Sequence, residues 1–255
     1  MKHQPDRSMI CAMLGLVNGL RDFFRRFPFG VLLAAILLMI VGAPISAKIA
    51  HEMPGVQGPT GLAPLTVLLT ITAAYAIWTP ARNRAIIICA AGFVLALLGV
   101  GSLLTHRDRV PDIAHLFGQA LFLVFVTGSI LRAVFRARVV DGNVLCGAAC
   151  VYLLFGALWG YSYAMLAIVD HSSFTVISQA AGAGKVDFWD EPGWLIYFSY
   201  TTLTTVGFGD ILPADAFSRS LAVLEAVVGQ IMLVVMLARL VGLHVAHTTS
   251  PPRDH

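Results

Sequence analysis

The chain has 255 residues, of which 58% are apolar or aromatic and only 12% are charged. Because a soluble domain is about a quarter charged, roughly half of the usual surface charge is missing. This composition excludes a soluble enzyme, a disulfide scaffold and a disordered chain. The net charge of +3 is too small to indicate binding to nucleic acid.

Long stretches without Asp, Glu, Lys or Arg account for the missing charge, and five of them can each supply the roughly 20 apolar residues that cross a bilayer. A sixth apolar segment contains Glu225 and Arg239. Ionisable groups at membrane depth usually face a bundle interior or water, and Arg239 lies close enough to the end of the segment to reach the interface. The predicted spans are residues 29–48, 61–79, 85–104, 114–135, 143–169 and 218–243.

The basic residues predict how these spans are oriented. Residues 8–27 combine a short apolar run with a basic and aromatic stretch, which is typical of a segment at the membrane interface. With this segment inside, the cytoplasmic side carries twelve Lys and Arg residues and the outer side five. We therefore expect a multi-pass protein of the cell membrane with both termini in the cytoplasm.

Residues 192–209 contain no charged residue, but they are not predicted to form another transmembrane span. Asp190, Glu191 and Pro192 form a helix-start signal, whereas the run of threonines and glycines from Thr201 cannot continue a lipid-facing helix. A helix of about 12 residues rises only about 18 Å. The segment is therefore predicted to enter the membrane partway and return, which requires cover by protein or water.

The run from Thr201 to Asp210, TTLTTVGFGD, resembles the selectivity-filter sequence of potassium channels. As in that family, it follows a short apolar helix and lies between the last two spans. Since one loop supplies only a quarter of a ring of ligands, the resemblance implies a fourfold homotetramer. It also implies that K+ is coordinated by backbone carbonyls, with a threonine hydroxyl at the innermost site. The implied ligands are Thr205, Val206, Gly207 and Phe208, and the hydroxyl is that of Thr205.

The residue types agree with this resemblance. A dehydrated K+ needs a ring of oxygens, and successive carbonyls point the same way only if alternate residues adopt left-handed backbone angles. Gly207 and Gly209 adopt such angles without a penalty from a Cβ atom. The other interpretation of these two glycines is an ordinary tight turn after a threonine-rich helix end.

The segment departs from the family's commonest pattern at its aromatic positions. Phe208 replaces Tyr, and Tyr197 and Phe198 stand where the pore helix often has Trp. We hypothesise that the Tyr197 hydroxyl donates a hydrogen bond to Asp210 behind the filter; the alternative is a tyrosine that merely packs. The residues assigned to filter support are Thr201, Thr204, Gly209, Asp210, Tyr197 and Phe198.

Two residues of the last span are candidates for gating. Gly229 lies where related channels often have a hinge, although glycine in a membrane helix also serves close packing. Glu225, one turn earlier, has three interpretations: a bond behind the filter, a pair with a neighbouring subunit, or a partly hydrated acid near the outer mouth. The spacing of Ile231, Val234, Val235 and Ala238 places them on one helix face that is a candidate cavity lining.

The first four spans lack the signature of a voltage sensor. Arg132, Arg136 and Arg138 cluster at the predicted cytoplasmic end of the fourth span without spacing at every third residue, and they are interpreted as anchors. Since each charge that crosses the field contributes about 2.3 kcal/mol per 100 mV, we expect weak or absent voltage dependence.

The predicted fold is an all-α membrane protein with six transmembrane helices, a re-entrant pore helix and a selectivity-filter loop, assembled as a homotetramer. Its parts are a cytoplasmic and interfacial segment (1–28), a four-helix domain (29–140), a pore domain (141–247) and a cytoplasmic tail (248–255). The pore domain comprises an outer helix (143–169), a pore helix (192–204), the filter (205–210) and an inner helix (218–243).

The predicted function is that of a non-enzymatic, K+-selective channel subunit, with K+ ions in the filter and no organic cofactor. Its partners are the lipid bilayer and copies of itself, with no nucleic acid and no cytosolic regulatory domain in this chain. A nonselective cation channel of the same architecture is one alternative. A secondary transporter or membrane enzyme, which would need polar groups at the midplane of several spans, and a non-conducting modulatory subunit are the others.

Overall fold

The computed structural model describes residues 27–52, 109–177 and 193–249. The predicted interfacial segment, the second and third predicted spans, and most of the loop that precedes the short helix lie outside the described residues. The ranges concerned are 8–26, 61–79, 85–104 and 178–192.

The described part of the chain is mostly helical. Its elements in chain order are α1 (Pro28–Glu52), α2 (Arg109–Arg136), α3 (Gly142–Val169), β1 (Phe174–Val176), α4 (Gly193–Leu203), β2 (Ile211–Pro213) and α5 (Ala216–Thr249). Three stretches are long and apolar enough to cross a membrane, namely Leu116–Arg136, Gly142–Val169 and Ala216–Leu243. They correspond to the fourth, fifth and sixth predicted spans, and they support an integral, all-α membrane protein.

The helix ends are fixed by side chains that bind unpaired backbone groups. Asp141 precedes α3 and its carboxylate accepts the N–H of Val144 at 2.8 Å, as Asp215 accepts that of Ser218 at 2.7 Å before α5. The first turn of α1 is satisfied from another helix, because the N–H of Phe29 donates to the side-chain oxygen of Asn143 at 2.9 Å. These caps set where α3 and α5 begin and where α1 meets α3.

Helix α3 lies at the centre of the fold, and α1, α2 and α4 all pack against it. The core is formed by side chains from each of these four helices, of which Leu32, Leu123, Leu154 and Leu195 are fully buried. The candidate site is therefore held against the packed helix α3.

A two-stranded ribbon closes the end of α3. Strand β1 pairs with β2 in antiparallel register, with Thr175 opposite Leu212. The ladder is extended at both ends, by the N–H of Ile177 to the carbonyl of Asp210 (2.7 Å) and by that of Ala214 to the carbonyl of Ser173 (2.8 Å). Residues 173–177, which follow α3, thus hold residues 210–214 in place.

Arg239 of α5 binds the C-terminal end of α2 and does not simply extend to the interface. Its guanidinium donates to the carbonyls of Val134 (3.2 Å), Phe135 and Ala137 (3.5 Å) and lies 4.5 Å from the centre of the Phe135 ring. The last carbonyls of a helix have no partner within the helix and carry its negative dipole end. The hydrogen bonds of Arg239 satisfy these carbonyls, and its positive charge stabilises the negative end of the helix dipole. Arg239 thereby joins the fourth predicted span to the sixth.

Candidate ion-conduction site

Helix α4 is too short to cross a membrane, and the chain turns back at its end. Its 11 residues rise about 16 Å, against roughly 30 Å of hydrocarbon. Residues 205–210, the candidate filter loop, follow α4 and lead into β2 beside the end of α3. The bounds agree within one residue at each end with the predicted helix over 192–204.

Small residues on α3 let α4 approach closely. A Cβ atom on Gly160 would lie 2.7 Å from the Cα of Ile196, and one on Gly156 would lie 2.7 Å from the ring of Tyr200. The four-residue spacing puts both glycines on one face of α3. This contact brings the backbone of α4 against that of α3.

Side-chain hydrogen bonds then fix the depth of α4 along α3. The Tyr152 hydroxyl donates to the carbonyl of Leu203, the last residue of α4, at 2.9 Å. In the opposite direction, the Tyr200 hydroxyl donates to the carbonyl of Leu153 at 3.0 Å. The two bonds oppose sliding of α4 along α3.

Glu225 is fully buried, where it joins three helices. Its carboxyl oxygens lie 2.7 Å from the Tyr163 hydroxyl of α3 and 2.5 Å from the Ser199 hydroxyl of α4. Of the three interpretations from the sequence, the structure shows bonds within the subunit, to the short helix and to α3. The hydrated acid near the outer mouth is wrong, because Glu225 has no exposed surface.

The candidate filter loop has left-handed backbone angles at every second residue. The φ angle is +60° at Thr205, +53° at Gly207 and +75° at Gly209. The positive angles at the two glycines were expected, and that at Thr205 was not. A β-branched residue in this region is strained by about 1–3 kcal/mol, and such strain clusters at functional sites.

The start of the loop is held by one carbonyl of α4. The carbonyl of Thr201 accepts the N–H groups of Val206 (2.9 Å) and Gly207 (3.1 Å). The Thr204 hydroxyl points back into α4, where it donates to the carbonyl of Tyr200 at 2.6 Å. Within the described residues, the carbonyls of residues 205–209 accept no hydrogen bond and are left for another partner, whereas the carbonyl of Asp210 accepts the N–H of Ile177.

Tyr197 and Asp210 make the contact expected from the sequence. The Tyr197 hydroxyl donates to a carboxylate oxygen of Asp210 at 2.8 Å, and the other oxygen accepts the N–H of Ile211 at 3.0 Å. The Tyr197 ring also stacks on Phe208, with ring centres 6.3 Å apart and planes 5° apart. One side chain of α4 therefore contacts both the aromatic residue and the end of the loop.

Phe198 packs on a different face of α4 from Tyr197, against the aromatic side chains of α3 and β1. Its ring packs edge-on against Tyr163 at 5.3 Å and Phe174 at 5.5 Å, and only 6% of its surface is exposed. It contributes to the loop only through the position of α4. The two aromatic residues that the sequence analysis grouped together thus have different surroundings.

The loop and one face of α5 are exposed in the single subunit. Residues 204–209 are all exposed, including Val206 (53%) and Phe208 (69%). The exposed residues of α5 include the four grouped on one face from the sequence, namely Ile231, Val234, Val235 and Ala238. Isolated subunits rarely present this much contiguous apolar surface unless it is covered in an assembly or by lipid.

Gly229 has a packing role in this structure. A Cβ atom there would clash with the Leu203 side chain at the end of α4. Helix α5 continues without interruption from Ala216 to Thr249. Gly229 therefore permits α5 to pack closely against Leu203, the last residue of α4.

Asp170, immediately after α3, is ionised at neutral pH. Hydrogen bonds from the hydroxyl of Ser172 (2.6 Å) and from its backbone N–H (2.9 Å) hold the pKa of Asp170 below its ordinary value of 3.8. The charge lies outside the membrane-spanning segments, in the turn between α3 and β1.

Sequence reasoning missed Tyr152, Gly156, Gly160, Tyr163 and Ser199, all of which position α4. The two glycines had a readable signal, since a small-xxx-small pattern is common where membrane helices touch. The hydroxyl partners had none, because Tyr163 and Glu225 are 62 residues apart. Only the folded chain brings them together.

Residues 144–244, from α3 to α5, match the family model described as an ion channel. The matched segment contains α4 and the candidate filter loop. The match supports an ion channel subunit embedded in a membrane and favours a protein without catalytic activity. Comparisons with curated proteins and with solved structures gave no significant match.

Proposed function

We propose that the chain is a K+-selective channel subunit and that four copies surround one conducting pathway. The observation that carries the proposal is the alternation of positive φ angles at Thr205, Gly207 and Gly209. Alternation of this kind turns successive carbonyls to the same side of the chain. Four such loops would supply the rings of oxygens that replace the hydration shell of K+.

The proposed ligands are the carbonyl oxygens of the loop, with one hydroxyl at the inner end. The N–H groups of Val206 and Gly207 donate to the carbonyl of Thr201, and residues 205–209 are exposed in the single subunit. K+ is the transported substrate, and the proposal involves no organic cofactor. The proposed ligands are Thr205, Val206, Gly207 and Phe208, with the Thr205 hydroxyl.

A homotetramer is proposed because a single loop offers too few ligands. The exposed face of α5 supports this assembly, since Ile231 (57%), Val234 (62%) and Leu237 (54%) are large apolar side chains left uncovered in one subunit. In the proposed tetramer this surface packs against neighbouring subunits or lines the cavity below the loop. Helix α4 then acts as a re-entrant pore helix between the outer helix α3 and the inner helix α5.

The proposed membrane topology has six spans with both termini in the cytoplasm. The excess of basic residues on the predicted inner side supports it. The arginines at the end of α2 support it too, because Arg132, Arg136 and Arg138 are exposed there.

Recording from purified protein in planar bilayers tests the proposed function. With unequal K+ and Na+ on the two sides, we expect a reversal potential close to the K+ equilibrium potential. Gly207→Ala places an L-residue at φ +53°, which costs about 1–2 kcal/mol per subunit or about 4–8 kcal/mol for four, and should abolish K+ selectivity. The control is Gly242→Ala, a helical glycine whose added Cβ meets nothing within 4 Å. A reversal potential near zero in the wild type would show a nonselective pore.

A further inference from the structure

The contacts of Glu225 contain more oxygen pairs than hydroxyl protons. Three O···O distances lie within the hydrogen-bond range: Tyr163 to Glu225 at 2.7 Å, Ser199 to Glu225 at 2.5 Å, and Ser199 to the carbonyl of Gly156 at 2.7 Å. Each pair needs one proton between its oxygens.

The proton count decides the state of the carboxyl. The Tyr163 and Ser199 hydroxyls carry one proton each, and the Gly156 carbonyl only accepts. With an ionised Glu225, two protons would serve three contacts and one pair of oxygens would face each other with lone pairs only. A protonated Glu225 supplies the third proton: the carboxyl donates to Ser199, Ser199 donates to Gly156, and Tyr163 donates to the second carboxyl oxygen.

The surroundings of Glu225 agree with a neutral group. Glu225, Ser199 and Tyr163 have no exposed surface, and a buried charge is costly unless it is paired. Among residues 27–52, 109–177 and 193–249, the hydrogen-bond partners of Glu225 are hydroxyl groups alone. In the part of the chain that the structure describes, the titratable groups that face it are the phenols of Tyr163 and Tyr152, which are neutral at pH 7 and offer no positive charge.

We propose that Glu225 is a positioning residue that holds α4 as a neutral carboxylic acid, with its proton bound to Ser199. The chain of hydrogen bonds from Glu225 through Ser199 to Gly156 ties the inner helix, α4 and the outer helix together. Two residues beyond Ser199, the carbonyl of Thr201 holds the first N–H groups of the candidate filter loop. The carboxyl thereby anchors the loop without adding a negative charge beside it.

Infrared difference spectroscopy of the full-length protein in lipid tests the proton directly. The carbonyl stretch of a protonated carboxyl is distinct from that of a carboxylate and shifts in deuterated water. We expect this band in the wild type at pH 7, its loss in Glu225→Gln, and a shift in Ser199→Ala, where the acceptor of the proton is removed. Absence of the band in the wild type, or its persistence in Glu225→Gln, would overturn the proposal.

Conduction provides the second readout, and this part rests on the proposed channel function. Glu225→Gln keeps all three contacts, because its amide N–H donates to Ser199 and its carbonyl accepts from Tyr163. We expect its K+ current to stay within about twofold of the wild type. Glu225→Met leaves the buried Tyr163 hydroxyl without its partner and removes the link from α5 to Ser199, and it should lose about tenfold or more. A Gln variant as impaired as the Met variant would contradict a neutral Glu225. Absence of K+ current in the wild type would refute the channel function and leave the infrared result standing.

Discussion

The closest contact between α3 and α4 makes Gly160→Ala an informative substitution. The added Cβ would lie 2.7 Å from the Cα of Ile196, 2.9 Å from its Cγ1 and 3.2 Å from its Cβ. The nearest of these is a backbone atom and cannot rotate away. To reach ordinary contact distances of about 3.5–4.0 Å, α4 must move from α3 by about 1 Å.

This displacement has a cost that can be worked out term by term. Overpacking at a helix contact destabilises by about 1–3 kcal/mol. Lengthening the 2.7 Å hydrogen bond from Ser199 to the Gly156 carbonyl by about 1 Å lowers the free energy of unfolding by roughly a further 0.5–1.5 kcal/mol. Alanine gains about 1 kcal/mol over glycine in helix propensity, but Gly242→Ala gains the same and meets no atom within 4 Å. The free energy of unfolding of Gly160→Ala is therefore expected to be about 1.5–4.5 kcal/mol lower than that of Gly242→Ala.

Thermal unfolding in detergent or lipid measures the difference. We expect Gly160→Ala to unfold several degrees below Gly242→Ala and to lose K+ selectivity as α4 shifts. Equal melting temperatures and equal reversal potentials for the two variants would refute the inferred packing of α4 on α3.

Three contacts and the arrangement of the arginines in the fourth predicted span lead to four further predictions. Tyr197→Phe removes the 2.8 Å bond to Asp210 and should hasten the decay of K+ current during sustained opening; unchanged decay would reject a role for this bond. Arg239→Met strands carbonyls at the end of α2 and should lower stability by about 1–3 kcal/mol, as measured by thermal unfolding, with Arg239→Lys recovering part of the loss. Conductance–voltage curves should be shallow, and a steep curve with several gating charges would contradict this expectation. The stability contribution of Asp170, whose pKa is lowered, is present above its ordinary value of 3.8 and is lost as pH falls through the lowered pKa, so Asp170→Asn should reduce the melting temperature at pH 7 but not in strong acid.

The elements were predictable where local signals are strong. Helix α3 begins one residue before the predicted outer helix and ends at the same residue, because its apolar run is bounded by Asp141 and Asp170. The inner helix begins two residues earlier than predicted, at the cap provided by Asp215, and continues six residues further. Apolar periodicity ends before the helix does, since backbone hydrogen bonding does not require apolar side chains. The second and third predicted spans lie outside the described residues.

The site was predictable in its residue types but not in its supports. The positive φ angles at Gly207 and Gly209 follow from the absence of a Cβ atom, whereas the positive φ angle at Thr205 is one that its residue type disfavours and could not be predicted from it. Likewise, the sequence left three interpretations of Glu225 open, because its hydrogen-bond partners Tyr163 and Ser199 come from distant segments of the chain. Long-range hydrogen bonds leave no local pattern, and tertiary structure alone selects among the alternatives.

A density map of the full-length protein in lipid, recorded with Rb+ in place of K+, tests the central claim most directly. We expect four subunits around an axis at membrane depth, with ion density on the axis at the level of the carbonyls of residues 205–208. A subunit without a central axis, or a loop that lies outside the bilayer with no ion beside it, would contradict the account.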